Sequence, residues 1–195
     1  MRVVAGRHRG RAIQAPPGDD IRPTSDQARQ AVFNLLAHHP LTAGKLLAGA
    51  AVLDVFAGTG AMGLEALSRG ATHATFIDDA PGAIACIRAN AARLGESKRV
   101  DVLRADALAP PQAQAQATLA FLDPPYGKGM AARALEALAR RGWLAPGGVV
   151  VVEHDAGEEI APPPSFAPFD RRRYGRALFS FLRYAGSTPL EEDGR

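Results

Sequence analysis

A single cysteine, Cys86, stands in the 195 residues, so no intramolecular disulfide forms and a zinc site built on paired cysteines is excluded. The five histidines, His8, His38, His39, His73 and His154, show no metal-ligand spacing, and no metal is expected. The chain also lacks any run of about 18 apolar residues, the length a membrane-spanning helix requires. No membrane partner is therefore expected. Met1 to Arg7 carry no apolar stretch leading to a small-residue cleavage site, so a secretory signal is not expected. With cysteine so scarce, the expected location is the cytoplasm. Lysine is nearly missing as well: the sequence has 20 Arg against Lys45, Lys98 and Lys128.

What is present fits one domain with a full core. Apolar residues make up 47% and charged residues 22%, an ordinary globular balance, and no internal repeat is found. The net charge is only +3, but its placement is uneven. Arg2, Arg7, Arg9 and Arg11 crowd the first eleven residues with no acid among them, and Arg171, Arg172, Arg173 and Arg176 form a second cluster. Two basic ends around a near-neutral body suggest a polyanion partner, against the plainer reading of a solvated charged surface.

Residues Arg2–Ala5 and Arg11–Gln14 read as two short strands around His8-Arg9-Gly10. Thr24, with Gln27 three residues on, fits a capping box that opens a helix. Ala28, Ala31, Val32, Leu35 and Leu36 line one face of that helix, which ends near His38-His39-Pro40. From about residue 50, strands and helices alternate. Strands are expected at Ala51–Phe56, Ala74–Asp78, Val100–Arg104, Leu119–Asp123 and Val149–Glu153. Helices are expected at Met62–Ser68, Pro81–Leu94 and Ala131–Arg141. Short, continuously apolar strands signal a parallel sheet covered on both faces. Residues 156–168 read as a loop, and Phe169–Tyr174 with Ala177–Tyr184 as a hairpin. The expected fold is therefore α/β and Rossmann-like, with helices on both faces of a mostly parallel sheet. Residues 1–40 would form an N-terminal extension, 41–185 the main domain and 186–195 a frayed tail.

The segment Asp54-Val55-Phe56-Ala57-Gly58-Thr59-Gly60 runs from a buried strand through a glycine-rich turn into a helix. Glycine there lets the backbone turn tightly and approach a ligand, and the helix N-terminus faces it. No Lys-Ser/Thr pair follows, so this is not a Walker loop. Asp78 ends the next strand, where a carboxylate accepts from both hydroxyls of a ribose. Asp79 is adjacent, so the assignment lies between the two. Asp106, with Ala107, ends the third strand and is placed to accept from an adenine amino group. Three acids at the carboxyl ends of successive parallel strands favour a nucleoside cofactor over three unrelated helix caps.

Leu122-Asp123-Pro124-Pro125-Tyr126 ends the fourth strand. Two prolines stop the ladder and fix a stiff, extended turn. That turn aims the Asp123 carboxylate and the Pro124 carbonyl at one point, where they grip the two hydrogens of an exocyclic amine. The amine lone pair is conjugated into the base ring, so acceptors that favour a pyramidal nitrogen stabilise the transition state. Tyr126 offers a ring on which a base stacks. The pattern points to transfer of a methyl already activated on a sulfonium, from S-adenosyl-L-methionine. Asp123 or water takes the proton.

Asp54–Gly60 followed by Asp123–Tyr126 resembles class I methyltransferases acting on amino nitrogens. Gly6-Arg7-His8-Arg9-Gly10-Arg11, Arg22-Pro23-Thr24 running into Arg29-Gln30-Ala31-Val32-Phe33-Asn34-Leu35-Leu36, and Gly63-Leu64-Glu65-Ala66-Leu67-Ser68-Arg69-Gly70-Ala71 narrow the resemblance. Over residues 1–184 the chain is similar to the bacterial RsmD family. That resemblance implies a seven-stranded sheet and methylation of a guanine N2 in small-subunit (16S) ribosomal RNA. The implied partner is this RNA, within a small-subunit particle, and a monomer is expected. The implied catalytic residues are Asp123, Pro124, Pro125 and Tyr126. Asp54, Phe56, Ala57, Gly58, Thr59, Gly60, Asp78, Asp79, Asp106, Ala107 and Asp123 would hold the cofactor. Arg7, Arg9, Arg11, Arg22, Thr24 and Tyr126 would meet RNA. The family more often carries Glu where this chain has Asp78, which shortens the reach to the ribose.

Three rivals are weighed. An adenine-N6 DNA methyltransferase reads the major groove, usually with a separate recognition segment, and no insertion here exceeds a loop. A protein-glutamine N5-methyltransferase usually opens its motif with Asn and leaves the basic ends unexplained. A non-catalytic RNA-binding protein conflicts with an intact glycine loop and Asp-Pro-Pro-Tyr. Cys86 and Trp143 read as core residues. Glu65 reads as either a helix-surface residue or a cofactor-pocket residue.

Overall fold

The computed structural model of the chain describes residues 1–15, 25–42 and 46–186. Arg22, Thr24 and all but the first residue of the 186–195 tail lie outside them. One seven-stranded sheet organises the rest. In chain order the strands are β1 Ala51–Val55, β2 His73–Asp78, β3 Val100–Arg104, β4 Ala117–Leu122, β5 Leu144–Asp155, β6 Phe166–Tyr174 and β7 Ala177–Tyr184. They lie in the order β3-β2-β1-β4-β5-β7-β6, with β1 to β5 parallel and β7 antiparallel to both its neighbours. Helices α1 Asp26–His38, α2 Ala61–Ser68 and α3 Pro81–Leu94 share one apolar cluster with one face of the sheet, and α4 Met130–Arg140 packs on the other. Strand order reverses between β1 and β4. In open α/β sheets the crevice outside the carboxyl ends of the strands at such a point is where ligands bind.

Strand and helix positions match the sequence expectations, with four corrections. Strand β5 begins at Leu144 rather than Val149, and its irregular pairing with β4 absorbs Pro146, Gly147 and Gly148 in a register shift. Strand β6 begins at Phe166, three residues earlier than expected. The cap of α1 is Ser25, whose hydroxyl accepts from Ala28 N–H at 3.1 Å, one residue after the expected Thr24. The two N-terminal strands reduce to one bridge between Arg2 and Ala12, closed by Val3 N–H to Arg11 C=O at 2.9 Å.

Glu65 settles where the N-terminus lies. It is neither a surface nor a cofactor-pocket residue: its side chain is fully buried on α2. Its carboxylate accepts from Val4 N–H at 2.8 Å, Ala5 N–H at 3.0 Å and Arg69 Nε at 2.7 Å. The buried Arg29 of α1 stands 3.7 Å away and donates to Arg2 C=O. One carboxylate thus ties the first five residues to α1 and α2, while Val3 and Ile13 enter the apolar core beside Phe33 and Leu64. Buried N–H groups and guanidinium ions left without an acceptor are costly. Replacing Glu65 by Ala is expected to cost about 3–5 kcal/mol of unfolding free energy by urea titration. Protection of the Val4 and Ala5 amides from hydrogen exchange should be lost first.

Candidate active site

Strand β1 delivers Asp54 into the crevice. Asp54 is buried, and its Oδ2 accepts from Gly63 N–H at 2.8 Å, which fixes the first turn of α2 against the strand. Gly63 has no room for a side chain, since a Cβ there would lie 2.5 Å from the Phe76 ring. Asp78, at the end of β2, accepts from Gly58 N–H at 2.8 Å through one oxygen and from Ala80 N–H at 2.9 Å through the other. Two carboxylates therefore clamp the loop 56–63 from both sides. Within it Phe56 takes a left-handed φ of 58°, a backbone cost that non-glycine residues bear where the surroundings hold them.

The crevice fits a nucleoside cofactor. Above Gly58 the space a Cβ would enter is open apart from a distant carbonyl, so ligand atoms can approach the backbone. Each Asp78 oxygen, already engaged by one N–H, keeps a lone pair for a ribose hydroxyl. Asp79 is exposed, and its backbone carbonyl accepts from Arg104 Nε at 3.2 Å. Asp106 is exposed, and its Oδ1 accepts from Leu108 N–H at 2.8 Å, while Ala107 is buried beneath it. Thr59 and Ala57 are buried in the loop, and the Thr59 carbonyl accepts from Asn90 of α3 at 3.0 Å.

Across the switch point, Asp123 follows β4, with its N–H donating to Val55 C=O at 3.3 Å. Pro124 is buried and Pro125 exposed. The structure adds a residue that the sequence reading missed. Glu153, near the end of β5, is buried, and its Oε1 accepts from Tyr126 O–H at 3.1 Å. The ring of Tyr126 remains exposed, so the hydrogen bond holds the phenol while leaving a stacking face open. Glu153 sat inside a run of valines ending in Glu-His-Asp, and one carboxylate at a strand end carries no sequence signal of its own. Asp54, Asp123 and Glu153 line one small cavity with Met62, Phe121 and Phe179.

Three carboxylates at one place oppose ionisation. Asp123 stays reachable from solvent at the crevice floor, but the protein packed round it, and then the charges of Glu153 and Asp54, raise its carboxyl well above the usual range. Burial pushes Asp54 up to about 7, against the opposing bond from Gly63. Desolvation and the Glu153 and Asp123 charges likewise raise Tyr126 and keep its phenol protonated. A basic acceptor is what a departing amine proton needs.

The predicted RNA contacts are not all brought together. Helices α2 and α3 run antiparallel to the strands, so their C-termini lie at the amino edge of the sheet. Arg7 N–H donates to Ser68 C=O at the end of α2, and its guanidinium pairs with the buried Glu96 just past α3. Arg11 donates to the last carbonyls of α3, at Arg93 and Leu94. Arg9 is exposed beside them. This group is at the edge opposite Asp123. Cys86 is half-buried, with Sγ 3.1 Å from Gln14 C=O, and Trp143 is core, its Nε1 donating to Pro111 C=O.

A family profile described as conserved hypothetical protein 95 matches residues 1–183. Ribosomal RNA small subunit methyltransferase D of Escherichia coli K12 is 33% identical over 172 residues, covering 85% of this chain and 80% of that protein. The chain belongs to the RsmD family. Another relative, ribosomal RNA small subunit methyltransferase D of Haemophilus influenzae, is 29% identical over 90% of this chain and 89% of its own length. The solved structure of Escherichia coli yhhF superposes with a TM-score of 0.80 at 28% identity, covering 96% of this chain and 99% of that one. At 18% identity the fold alone is shared with an RNA methyltransferase of Salinibacter ruber, solved with S-adenosyl-L-homocysteine, at a TM-score of 0.62 over 89% of this chain and all of that one.

The carboxylate cluster is expected to set the pH response of this RsmD-family site. With Asp123 in the amine-gripping role expected from the sequence, only its ionised form serves, so the rate is expected to rise with pH through its raised value. Glu153→Gln keeps an acceptor for Tyr126 but removes the neighbouring charge. The acid limb of kcat should then move to lower pH, and an unmoved limb would remove Glu153 from the site. For stability the sign is opposite. Asp54 binds its proton more tightly folded than unfolded, so stability falls as pH rises from about 3.8 to about 7. Asp54→Asn should flatten that decline in urea titrations run across this window.

Proposed function

We propose that this chain methylates the exocyclic N2 of one guanine in small-subunit ribosomal RNA. It would act as a monomer, in the cytoplasm, on a small-subunit particle. As an RsmD-family protein it is a ribosomal RNA methyltransferase that takes its methyl group from S-adenosyl-L-methionine. The observation that carries the reading is the pairing, at one switch point, of a carboxylate-clamped glycine loop with Asp123-Pro124-Pro125-Tyr126.

The loop 56–60 and Asp78 would hold the cofactor, with Asp78 on the ribose and Asp106 with Ala107 at the adenine. When bound, it supplies a methyl group already activated on a sulfonium. Tyr126, steadied by Glu153, stacks the target base. The Asp123 carboxylate and the Pro124 carbonyl accept the two amine hydrogens. The nitrogen lone pair would then face the methyl group that the cofactor supplies, and Asp123 would take the surplus proton. Arg7, Arg9 and Arg11 enter this reading as phosphate contacts remote from the reacting base. Arg22 and Thr24, outside the described residues, enter as further substrate contacts.

Asp123→Ala is expected to abolish radiolabelled methyl transfer to small-subunit particles while cofactor affinity stays within about tenfold, or 1.4 kcal/mol. Activity above about a tenth of wild type would contradict its role. Asp78→Ala should weaken cofactor binding by about 1.5–3 kcal/mol for each ribose hydrogen bond removed from this charged acceptor. Calorimetry with S-adenosyl-L-homocysteine reads this directly, and unchanged affinity would move the ribose contact to Asp79.

A further inference from the structure

The second arginine cluster has no part in the reading above, and the structure gives it a definite address. Among the described residues strand β6 is an edge of the sheet, and Arg171, Arg172 and Arg173 are exposed on it. Arg176 follows round the turn at Gly175. The turn joins β6 to β7 at the carboxyl edge, where Ala177 pairs with Asp155 at the end of β5. Arg172 pairs with Phe179, and Phe179 pairs with Glu153, so the three lie in one row across the sheet. Strands are about 4.8 Å apart, which puts the Arg172 backbone about 10 Å from the residue that holds Tyr126. The link is continuous through loops as well. Gly127 N–H donates to Glu158 at 3.1 Å, and Ala156 N–H donates to Arg176 C=O at 2.8 Å.

Charge on an edge strand commonly serves only to block edge-to-edge pairing. Here that task is already met in the other half of the strand. Pro168 cannot donate to a neighbour, and the register shift between Pro168 and Asp170 bends the edge. The arginines are instead confined to the half nearest Asp123. Arg172 pairs with Asp170 and Arg176 with Asp155, each at 3.0 Å and with the guanidinium well exposed, and such pairs hold weakly. Two acids against four arginines leave a surplus of two positive charges. On the strand, Arg172 faces the same side as Glu153, while Arg171 and Arg173 face the other, so the charge wraps the edge.

We infer that the β6–β7 hairpin is a docking surface for the phosphates of the RNA flanking the target base. This rests on the reading of the chain as an RNA methyltransferase. Beside a centre of three carboxylates, which repels RNA, such a positive rim holds the backbone while only the base enters. Arg7 and Arg11, engaged by Glu96 and the end of α3 at the opposite edge, do not supply that rim.

The test compares wild type with the triple variant R171Q/R172Q/R173Q and the charge-preserving R171K/R172K/R173K. The probes are transcribed 16S ribosomal RNA and small-subunit particles, titrated across a salt series. The glutamine variant should bind transcribed RNA at least tenfold more weakly. Its salt slope should be shallower by about 0.7 for each phosphate of single-stranded RNA that is no longer neutralised. Its S-adenosyl-L-homocysteine affinity and melting temperature should match wild type, and the lysine variant should retain most of the binding. Wild-type binding and slope in the glutamine variant would overturn the inference while leaving the methyltransferase reading intact. Loss of particle binding with RNA binding unchanged would also overturn it, because the surface would then read a ribosomal protein. Failure of the wild type to bind or methylate either probe would overturn the underlying reading together with the inference.

Discussion

Two backbone N–H groups, of Gly58 and Gly63, each held at 2.8 Å by a strand-end carboxylate, are the interactions on which the site depends. Asp78 and Asp54 stand at the carboxyl ends of neighbouring parallel strands, and between them they suspend the loop that leads into α2. Helix α2 carries Glu65, which in turn fixes the N-terminal residues, so the loop, the helix and the chain terminus are positioned together. Neither carboxylate can be exchanged for an apolar residue without freeing a loop whose Phe56 already occupies a costly backbone region.

The charge distribution then divides the molecule's work. Asp54, Asp123 and Glu153 converge on one cavity, an arrangement that raises the carboxyls of Asp54 and Asp123 and costs folding stability near neutrality. Carboxylates gathered so closely suit a cationic sulfonium donor, whose charge favours their ionised forms, and a departing proton; when ionised they oppose a polyanion. The acceptor RNA is therefore best held by a positive rim rather than by the centre. The arginines of β6 and its turn lie one strand beyond β7 from the centre, at the same edge of the sheet.

The parallel sheet, the glycine loop and the Asp123–Tyr126 motif were legible because each is local: an apolar run, a turn type and a proline pair are written in consecutive residues. Asp78 was legible as a candidate from its place at a strand end, and the structure adds its bonds from Gly58 and Ala80, while Asp79 engages Arg104 through its backbone carbonyl. Glu65 and Glu153 were not legible, because their partners lie 60 and 27 residues away and nothing local marks a buried carboxylate. The partners of the N-terminal arginines were hidden for the same reason, since the acceptors that engage Arg7 and Arg11 lie more than 80 residues downstream, at Glu96 and the end of α3.

The central claim is that this acidic edge methylates an exocyclic amine of guanine. The most direct measurement is to incubate the chain with labelled S-adenosyl-L-methionine and unmethylated small-subunit particles, digest the RNA to nucleosides and identify the labelled species by mass spectrometry. The account predicts label in N2-methylguanosine alone. Label on a ring nitrogen, on a ribose oxygen or on adenine would contradict it.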